Sequence, residues 1–245
     1  MIENAPVGFD QISSSQEVLR FRPKFDMDFV IRLLGAKKGR QVPPSTRKRL
    51  DTLRESIGGV ISPRLTYEVK KVSSVQKGEV TLAGGVRLQS AKMAHSLKKA
   101  DAVVLFVATV GEKLDHKVED LMDRGKLADA YMADALGSGA VEALADTFHR
   151  DFGEEVSEHG YQAGLRFSPG YCDWVVSEQE KIFSMIDGEV IGVELGNTSL
   201  MSPRKSISAL FGLYEQGSAP EIKDKNPCLR CGKKNCIARR ASATA

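Results

Sequence analysis

The feature that most constrains the fold is a nine-residue apolar run, AVVLFVATV, at residues 102–110. A short continuous apolar run that ends at a glycine, here Gly111, is typical of a buried strand. The run is also less than half as long as the roughly 20 residues that a membrane-spanning helix needs. It therefore predicts a strand in the core of a soluble protein.

Upstream of this strand, the sequence predicts two helices. The segment DMDFVIRLLG, residues 26–35, has an aspartate at its start and a glycine at its end, as short helices often do. In QVPPSTRKRLDTLRESIGG, residues 41–59, Ser45 is a candidate N-cap, and three apolar residues follow helical spacing: Leu50, Leu53 and Ile57. The paired glycines after them predict the end of that helix.

The next segment, residues 65–88, changes to a two-residue period. Its β-branched residues, a Lys77-Gly78 turn and a Gly84-Gly85 break predict a meander of two or three strands. Residues 90–100, SAKMAHSLKKA, return to a helical pattern that leads into the buried strand. Helices and strands are thus mixed in this half of the chain.

Downstream, a long helix is predicted over residues 126–152, where apolar residues recur at four-residue steps on one face. Gly137 and Gly139 lie inside it, and each costs about 1 kcal/mol relative to alanine. The two glycines indicate either close approach of a backbone or ligand, or tight packing of the helix on a sheet.

Three further elements complete the prediction. Residues 177–188 predict a helix with an S-x-x-E capping box formed by Ser177 and Glu180. Residues 189–195, EVIGVEL, predict a strand, and residues 196–215 predict a polar loop followed by another strand. Because strands and helices do not alternate strictly, we expect an α+β domain with a largely antiparallel twisted sheet flanked by helices.

Common catalytic and nucleotide-binding motifs are absent from the sequence. It has no G-x-G-x-x-G or G-x-x-x-x-G-K-[ST] phosphate loop, no H-E-x-x-H zinc motif and no G-x-S-x-G nucleophile elbow. The histidines stand in no nucleophile or zinc pattern either: His95, His116, His149 and His159. The sequence therefore does not favour a hydrolase or a nucleotide-phosphate fold.

The last part of the chain is basic and rich in cysteine. Residues 223–240 contain seven Lys or Arg and one Asp, so this segment has a net charge of +6. The whole chain has a net charge of +3, so the remaining residues together carry −3. The segment lacks interleaved aromatic residues, so we do not expect nucleic-acid binding. The N-terminus has no secretory signal pattern, so we expect a cytoplasmic protein without a membrane partner.

Three of the four cysteines lie in this tail as CLRCGKKNC: Cys228, Cys231 and Cys236. In a chain without export signals, such clustering indicates metal binding or redox chemistry more than structural disulfides. A C-x-x-C pair with a third thiolate five positions later has ligand spacing for one metal centre. Zinc and an iron–sulfur cluster are both compatible with the pattern.

The fourth cysteine lies in RFSPGYCDW, residues 166–174, which also holds the only tryptophan. Pro169-Gly170 predicts a type II turn, and the segment is either that turn alone or the floor of a ligand site. Arg166 could bind a carboxylate bidentately, and Tyr171 offers a π-face to a flat base or a cationic centre. S-adenosylmethionine has each of these parts.

Residues 128–152, ADAYMADALGSGAVEALADTFHRDF, followed by residues 161–187, YQAGLRFSPGYCDWVVSEQEKIFSMID, resemble the activation (reactivation) domain of cobalamin-dependent methionine synthase. The R-x-x-P-G-Y segment, the Glu180-Lys181 pair and the later MSPRKSISALFG carry the resemblance. It extends from about residue 100 to residue 211, and more weakly back to FDMDFVIRLLG at residues 25–35.

The resemblance implies a domain that binds S-adenosylmethionine and helps to re-methylate a corrinoid whose cobalt has been oxidised. It implies that Arg166 holds the methionyl carboxylate and that Glu142 faces the cofactor side. The remaining implied site residues are the backbone of the turn, the pocket-lining tyrosine, and a phenylalanine where the family has a tyrosine: Phe167, Ser168, Gly170, Tyr171 and Phe211. A family aspartate near the N-terminus corresponds to Asp26 or Asp28.

Two departures from the family shape the expected role. The 245 residues cannot hold the family's homocysteine, folate and cobalamin modules, and the cobalamin signature D-x-H-x-x-G is absent. We therefore expect action in trans on a separate corrinoid protein, either a methionine synthase core in methionine biosynthesis or a corrinoid methyltransferase, with the cobalamin on that partner. Cys172 replaces a family proline, and with the cysteine tail it suggests that the chain brings its own electron donor or contacts an electron-transfer protein.

The expected organisation is an N-terminal arm at residues 1–24, an activation-like domain at residues 25–222 and a Cys-rich tail at residues 223–245. Whether the chain is itself a methyltransferase is left open. Two other functions also remain open at this point, a non-catalytic metal-binding adaptor of a corrinoid system and a conventional S-adenosylmethionine-dependent methyltransferase. The lack of a Gly-rich strand–helix turn disfavours the last of these.

Overall fold

A computed structural model of the chain describes residues 16–17, 25–36 and 42–219. Its main sheet is antiparallel, with strand order β4-β3-β2-β5-β9-β6 and a short β1 that also pairs with β2. The strands of this sheet are β1 (Gln16–Glu17), β2 (Arg64–Gln76), β3 (Glu79–Leu82), β4 (Arg87–Gln89), β5 (Ala102–Thr109), β6 (Tyr161–Phe167) and β9 (Ser206–Glu215). Two short strands, β7 (Glu194–Leu195) and β8 (Met201–Ser202), form a separate pair.

The central strand β5 is the apolar run of the sequence, and all eight of its residues are buried. Its side chains alternate between two apolar clusters, with Phe106 in the first and Leu105 in the second. Because successive side chains of a strand point to opposite faces, the sheet must be covered on both sides. The fold therefore has three layers, and the sheet is the middle one.

A helical layer covers the first face. Its helices are α1 (Met27–Leu33), α2 (Pro44–Gly58), α4 (Lys113–Asp123) and the long α5 (Leu127–Glu158). Within α5, a Cβ at Gly137 would collide with Leu114 of α4, and a Cβ at Gly139 would lie 2.7 Å from Val30 of α1. The two glycines thus allow close packing of α5 against two neighbouring helices. Of the two alternatives left open by the sequence, packing of these glycines on the sheet is wrong, because their nearest contacts are side chains of α4 and α1.

The second face is covered by smaller elements and by a long connection. The helices there are α3 (Ala91–Ser96) and α6 (Gln179–Phe183), and Trp174 and Ile182 pack between this layer and β5. Three 3₁₀ turns, Leu97–Lys99, Val176–Glu178 and Glu189–Ile191, complete the layer. No helix in the described ranges is both long enough and apolar enough to cross a membrane.

The α+β class and the antiparallel sheet are confirmed, and so are the helix from Asp26 and the β2–β4 meander. The predicted cap at Ser45 is wrong, because α2 begins one residue earlier at Pro44, whose fixed φ suits a first helical position. Residues 1–15, 18–24 and 220–245 lie outside the described residues, so the predicted arm and tail boundaries stay predictions.

Two further local predictions were wrong. Ser177 lies inside a 3₁₀ turn and forms no side-chain cap, so the capping box with Glu180 does not exist. The strand predicted at residues 189–195 is mostly a turn, because Gly192 adopts a φ of 70° and Val193 donates to the carbonyl of Gly188 over 2.9 Å. A left-handed residue interrupts the extended alternation that the apolar pattern suggested.

Candidate functional site

The candidate site begins at the turn that follows β6. Tyr171 N donates to Ser168 O over 3.2 Å, and Gly170 adopts a φ of 84°. With Pro169 at the second position and a glycine with positive φ at the third, this is a type II turn. A further pair of backbone hydrogen bonds joins Gly170 and Tyr171 to Trp174. The predicted turn is therefore confirmed.

Two carboxylates fix the segment after the turn. Asp173 accepts hydrogen bonds from Ser90 Oγ over 2.7 Å and from Lys92 N over 3.1 Å, at the start of α3. Burial acts to raise the pKa of Asp173, but these hydrogen bonds outweigh it and hold the pKa below its usual value. Glu178 accepts from Gln89 N over 2.9 Å and from Lys181 Nζ over 2.5 Å. The turn is thus held between β6 and the second-face layer.

A β-bulge in β6 sets the direction of Arg166. Ala163 pairs with Leu213 and Arg166 pairs with Phe211, so two residues of β6, Gly164 and Leu165, oppose one residue of β9. Without the bulge, regular pairing would place Arg166 opposite the residue that precedes Phe211 in the sequence. The Arg166 side chain would then lie on the second face of the sheet. Because the bulge adds one residue, Arg166 shares the first face with Phe211 and points toward α5.

Arg166 meets two carboxylates of α5. Its Nη2 lies 2.5 Å from Glu142 Oε2 and 3.2 Å from Asp146 Oδ1. The guanidinium side chain is 1% exposed, whereas those of Glu142 and Asp146 are 21% and 62% exposed. Residues four apart lie on one helix face, so α5 presents both carboxylates to the same cation.

The hydrogen-bonding of Arg166 is incomplete in the described part of the chain. Its Nε and Nη1 are buried and have no hydrogen-bond partner. Among the described residues, Arg166 is the one side chain that leaves two buried polar atoms without a hydrogen-bond partner. Three other side chains each leave one such atom: Arg64, Asp115 and Trp174. An unfilled donor on a buried cation costs more than one on a neutral group, so this site is suited to an additional acceptor.

The structure places the other predicted site residues at different depths. Gly170 and Tyr171 are exposed, and Tyr171 is 46% exposed. Ser168 is half-buried, whereas Phe167 is buried in the second-face cluster. Phe211 is fully buried beneath α5, within an aromatic group that includes Phe106, Phe148, His149 and Phe152. The structure thus brings together Arg166 and Glu142, and the turn follows Arg166 closely in sequence.

The two candidate aspartates near the N-terminus lie on α1. Asp26 caps this helix by accepting a hydrogen bond from Phe29 N over 3.0 Å, and Asp28 is exposed in the first turn. The cap gives Asp26 a structural role. Whether either carboxylate serves a ligand stays a prediction.

The sequence interpretation missed two residues of this region, Asp146 and His149. Both follow Glu142 on the same face of α5, at spacings of four and seven, and this periodicity is visible in the sequence. His149 Nε2 lies 2.8 Å from Gly164 O, inside the bulge. Burial is the main cause that lowers the pKa of His149, and the positive charge of Arg166 acts in the same direction.

Of the four cysteines, Cys172 alone lies within the described residues. Cys172 is exposed in the turn and adopts a φ of 58°, which is uncommon for a residue other than glycine. Within the described ranges, no group of three or more His, Cys, Asp or Glu side chains could hold a metal ion. Cys228, Cys231 and Cys236 lie outside those ranges, so the zinc or iron–sulfur site stays a prediction.

The chain is similar to known proteins both in sequence and in fold. The family model described as the activation domain of vitamin B12 dependent methionine synthase matches residues 90–219. A similar solved structure is described as the crystal structure of the MetH reactivation domain bound to AdoHcy. It is 16% identical, with 85% of this chain and 79% of that chain covered and a TM-score of 0.63, so this likeness shows the fold. A search of the curated proteins finds no significant match.

Proposed function

The chain belongs to the family of vitamin B12 dependent methionine synthase activation domains, and on this basis we propose that it binds S-adenosylmethionine and supports reductive methylation of a corrinoid. The corrinoid would be carried by a partner, either a methionine synthase core or a corrinoid methyltransferase. AdoHcy is the demethylated form of S-adenosylmethionine, and its presence in the similar MetH structure supports this choice of ligand.

The observation that carries the proposal is that two nitrogens of the buried Arg166 guanidinium lack a hydrogen-bond partner. A buried cation with two nitrogens lacking partners fits a ligand that brings a carboxylate, because charge-assisted hydrogen bonds compensate the lost hydration. The methionyl part of S-adenosylmethionine ends in such a carboxylate. The chemistry of the site therefore fits the ligand that the family implies.

The neighbouring acids fit the other charge of an amino acid. Glu142 and Asp146 both contact Arg166 and are both more exposed than the cation. A ligand with an α-carboxylate and an α-ammonium group would place its negative end on Arg166 and its positive end beside these carboxylates. A free carboxylic acid would gain only the first of these contacts.

The turn supplies the second part of the proposed site. Gly170 has no side chain to obstruct a ligand, and the half-exposed ring of Tyr171 offers a flat face for an adenine or a sulfonium. Asp173 and Glu178 hold this segment from behind through hydrogen bonds to α3 and β4. The turn can therefore bind a ligand without first having to fold.

In this proposal the chain positions reactants and does little acid–base chemistry. When bound, S-adenosylmethionine supplies a methyl group activated by the adjacent sulfonium charge. Arg166 and the two carboxylates of α5 would fix the methionyl end, and Tyr171 would restrict the orientation of the remainder. Such positioning contributes to rate by holding the donor in one orientation toward its acceptor. The reducing electron would come from a separate electron-transfer protein or from a centre in the cysteine tail.

Calorimetric titration with S-adenosylmethionine and with AdoHcy tests the binding proposal. Arg166→Met should weaken binding by about 1.5–3 kcal/mol, the range for a charge-assisted hydrogen bond. Arg124→Met is the matched control, because Arg124 also pairs with a carboxylate on a helix, Asp120, but is exposed and distant in sequence from the turn. Unchanged affinity in Arg166→Met would remove Arg166 from the site, and no binding by the native chain would favour a metal-binding adaptor.

Anaerobic affinity capture tests the proposed partner. The tagged chain should retain a corrinoid protein from native cell extract, recognised by the visible absorbance of its corrinoid. Added AdoHcy should change the amount retained if ligand and partner act at one site. Capture of no corrinoid protein at any ligand concentration would contradict the partner proposal while leaving the calorimetric result intact.

A further inference from the structure

The bulge of β6 is held by a side chain from the helical layer that covers the first face. His149 of α5 reaches the backbone of Gly164, and its Nε2 lies 2.8 Å from the carbonyl oxygen. A carbonyl oxygen only accepts hydrogen bonds, so Nε2 must carry the proton. In the neutral ring this fixes the tautomer with hydrogen on Nε2.

The bulge decides which face of the sheet Arg166 joins. A shift of one residue in pairing moves every following side chain to the opposite face. With the extra residue present, Arg166 pairs with Phe211 and faces α5, and without it the guanidinium would point into the second-face cluster. The position of the proposed ligand-binding cation therefore depends on this local irregularity.

The other side of the bulge is equally confined. A Cβ at Gly164 would lie 2.6 Å from Tyr214 Cε2, and a Cβ at Gly212 would lie 2.7 Å from Tyr214 Oη. Tyr214 is itself fixed, because its hydroxyl donates to Ser96 O over 2.9 Å. The backbone at Gly164 thus lies between the Tyr214 ring on one face and the His149 imidazole on the other.

His149 is also restrained in its own position. It is half-buried and packs edge to face with the Phe211 ring, with centroids 4.6 Å apart. The charged groups near its ring are Arg166 on β6 and Asp146 one turn earlier on α5, and they act on its protonation in opposite senses. Burial favours the neutral ring, so one ring nitrogen remains the donor.

From this arrangement we infer that His149 is a positioning residue, which holds the β6 bulge through Gly164 O and thereby directs the Arg166 guanidinium toward the ligand. Its contribution is the hydrogen bond from Nε2 and not its charge. An uncharged side chain of similar reach with an N–H group should therefore replace it. The ligand-binding consequence rests on the proposed function, whereas the effect on the orientation of Arg166 does not.

The test compares His149→Gln with His149→Met. These side chains have similar length, but glutamine keeps an N–H donor and methionine has none. The first measurement is the ¹H–¹⁵N resonance of the buried Arg166 Nε–H group, assigned by its loss in Arg166→Lys. The second is AdoHcy affinity by calorimetry. His159→Met is the control, because His159 Nδ1 lies 3.0 Å from a backbone carbonyl, Glu155 O, at the exposed end of the same helix.

We expect His149→Met to shift or broaden the Arg166 resonance and to weaken AdoHcy binding by roughly tenfold, which corresponds to loss of one hydrogen bond at a buried acceptor. His149→Gln should restore both, and His159→Met should change neither. A native resonance and native affinity in folded His149→Met would overturn the inference. If that variant does not fold, His149→Gln decides alone, and a displaced Arg166 resonance in its folded form would overturn the inference.

Failure of the ligand is separable from failure of the positioning role. If the native chain does not bind AdoHcy, the proposed function fails, but the Arg166 resonance still reports the orientation of the guanidinium. If the native chain binds AdoHcy and both variants bind it equally with unchanged resonances, the proposed function stands and the role of His149 does not.

Discussion

Two short ion pairs of this fold have the same separation and different surroundings. Lys181 Nζ lies 2.5 Å from Glu178 Oε1, and Arg166 Nη2 lies 2.5 Å from Glu142 Oε2. In the first pair, Glu178 also accepts from Gln89 N and Lys181 also donates to Arg87 O. In the second pair, two nitrogens of Arg166 have no partner within the described residues. The first pair is complete in the folded chain, whereas the second leaves two buried donors without an acceptor.

This difference distinguishes an ion pair that is satisfied within the fold from the ion pair of the proposed binding site. A buried ion pair contributes to folding when its remaining donors and acceptors are also satisfied, and it is costly when they are not. The Glu178 pair connects α6 to β4 and so fixes the second-face layer. The Arg166 pair lies just before the turn and leaves two buried donors unsatisfied, a cost that the carboxylate of the proposed ligand would relieve. The two pairs should therefore respond differently to mutation.

The largest expected effect is on stability, at the complete pair. Glu178→Ala should lower the free energy of unfolding by about 3 kcal/mol, because Gln89 N and Lys181 lose a charged acceptor in a largely buried place. Urea denaturation measures this change. AdoHcy affinity of the folded variant should be changed less than that of Arg166→Met, since Glu178 does not line the proposed site.

Glu180→Ala is the control for this variant. Glu180 is two residues further along and exposed on α6, so its removal should change the free energy of unfolding by less than about 0.5 kcal/mol. Equal losses in the two variants would show that the partners of Glu178 do not matter, and the contrast between the pairs would disappear.

A smaller effect on stability is expected at the incomplete pair. Arg166→Met should change the free energy of unfolding by less than about 1 kcal/mol although the side chain is 1% exposed, because the variant also removes two unfilled buried donors. Glu142 and Asp146 retain access to water and tolerate the loss. Urea denaturation without ligand tests this expectation. A loss of 3 kcal/mol or more would identify the Arg166 pair as structural and would weaken the argument for a ligand carboxylate.

Local sequence patterns were sufficient for the turn and for the central strand. Pro169-Gly170 specifies a type II turn whatever surrounds it, because the two residues themselves supply the required φ angles. The apolar run of β5 likewise predicts a buried strand without knowledge of its neighbours. These features depend on residues adjacent in the chain, so one sequence is enough to predict them.

The bulge of β6 and the contact of Arg166 with two carboxylates of α5 could not be predicted in the same way. The direction of Arg166 depends on pairing with β9, which lies some 45 residues later, and one extra residue in β6 reverses it. The capping box failed for a related reason, since Glu178 beside Ser177 is engaged with β4 and the chain forms a 3₁₀ turn there. The resemblance to a family located Arg166 and Glu142 without showing that Glu142 already contacts the arginine.

The smallest expected effect is a pH dependence that comes from His149. Its pKa lies below the usual value, chiefly because burial disfavours the charged ring and also because Arg166 is nearby. As the pH falls through about 6.5, the unfolded chain binds a proton before the folded chain does, so stability present above that pH is progressively lost below it. Urea denaturation of the native chain between about pH 7.5 and 5.5 should show this decrease.

Three variants connect this pH dependence to the incomplete pair. His149→Gln should remove the His149 part of the decrease, and His159→Gln, at the exposed end of α5, should keep it. In Arg166→Met the decrease should become shallower, because the positive charge that opposes protonation of His149 is gone. A decrease of equal slope in Arg166→Met and the native chain would show that burial alone sets the pKa of His149. The imidazole and the guanidinium would then be neighbours that share a face of the sheet without an electrostatic influence on each other.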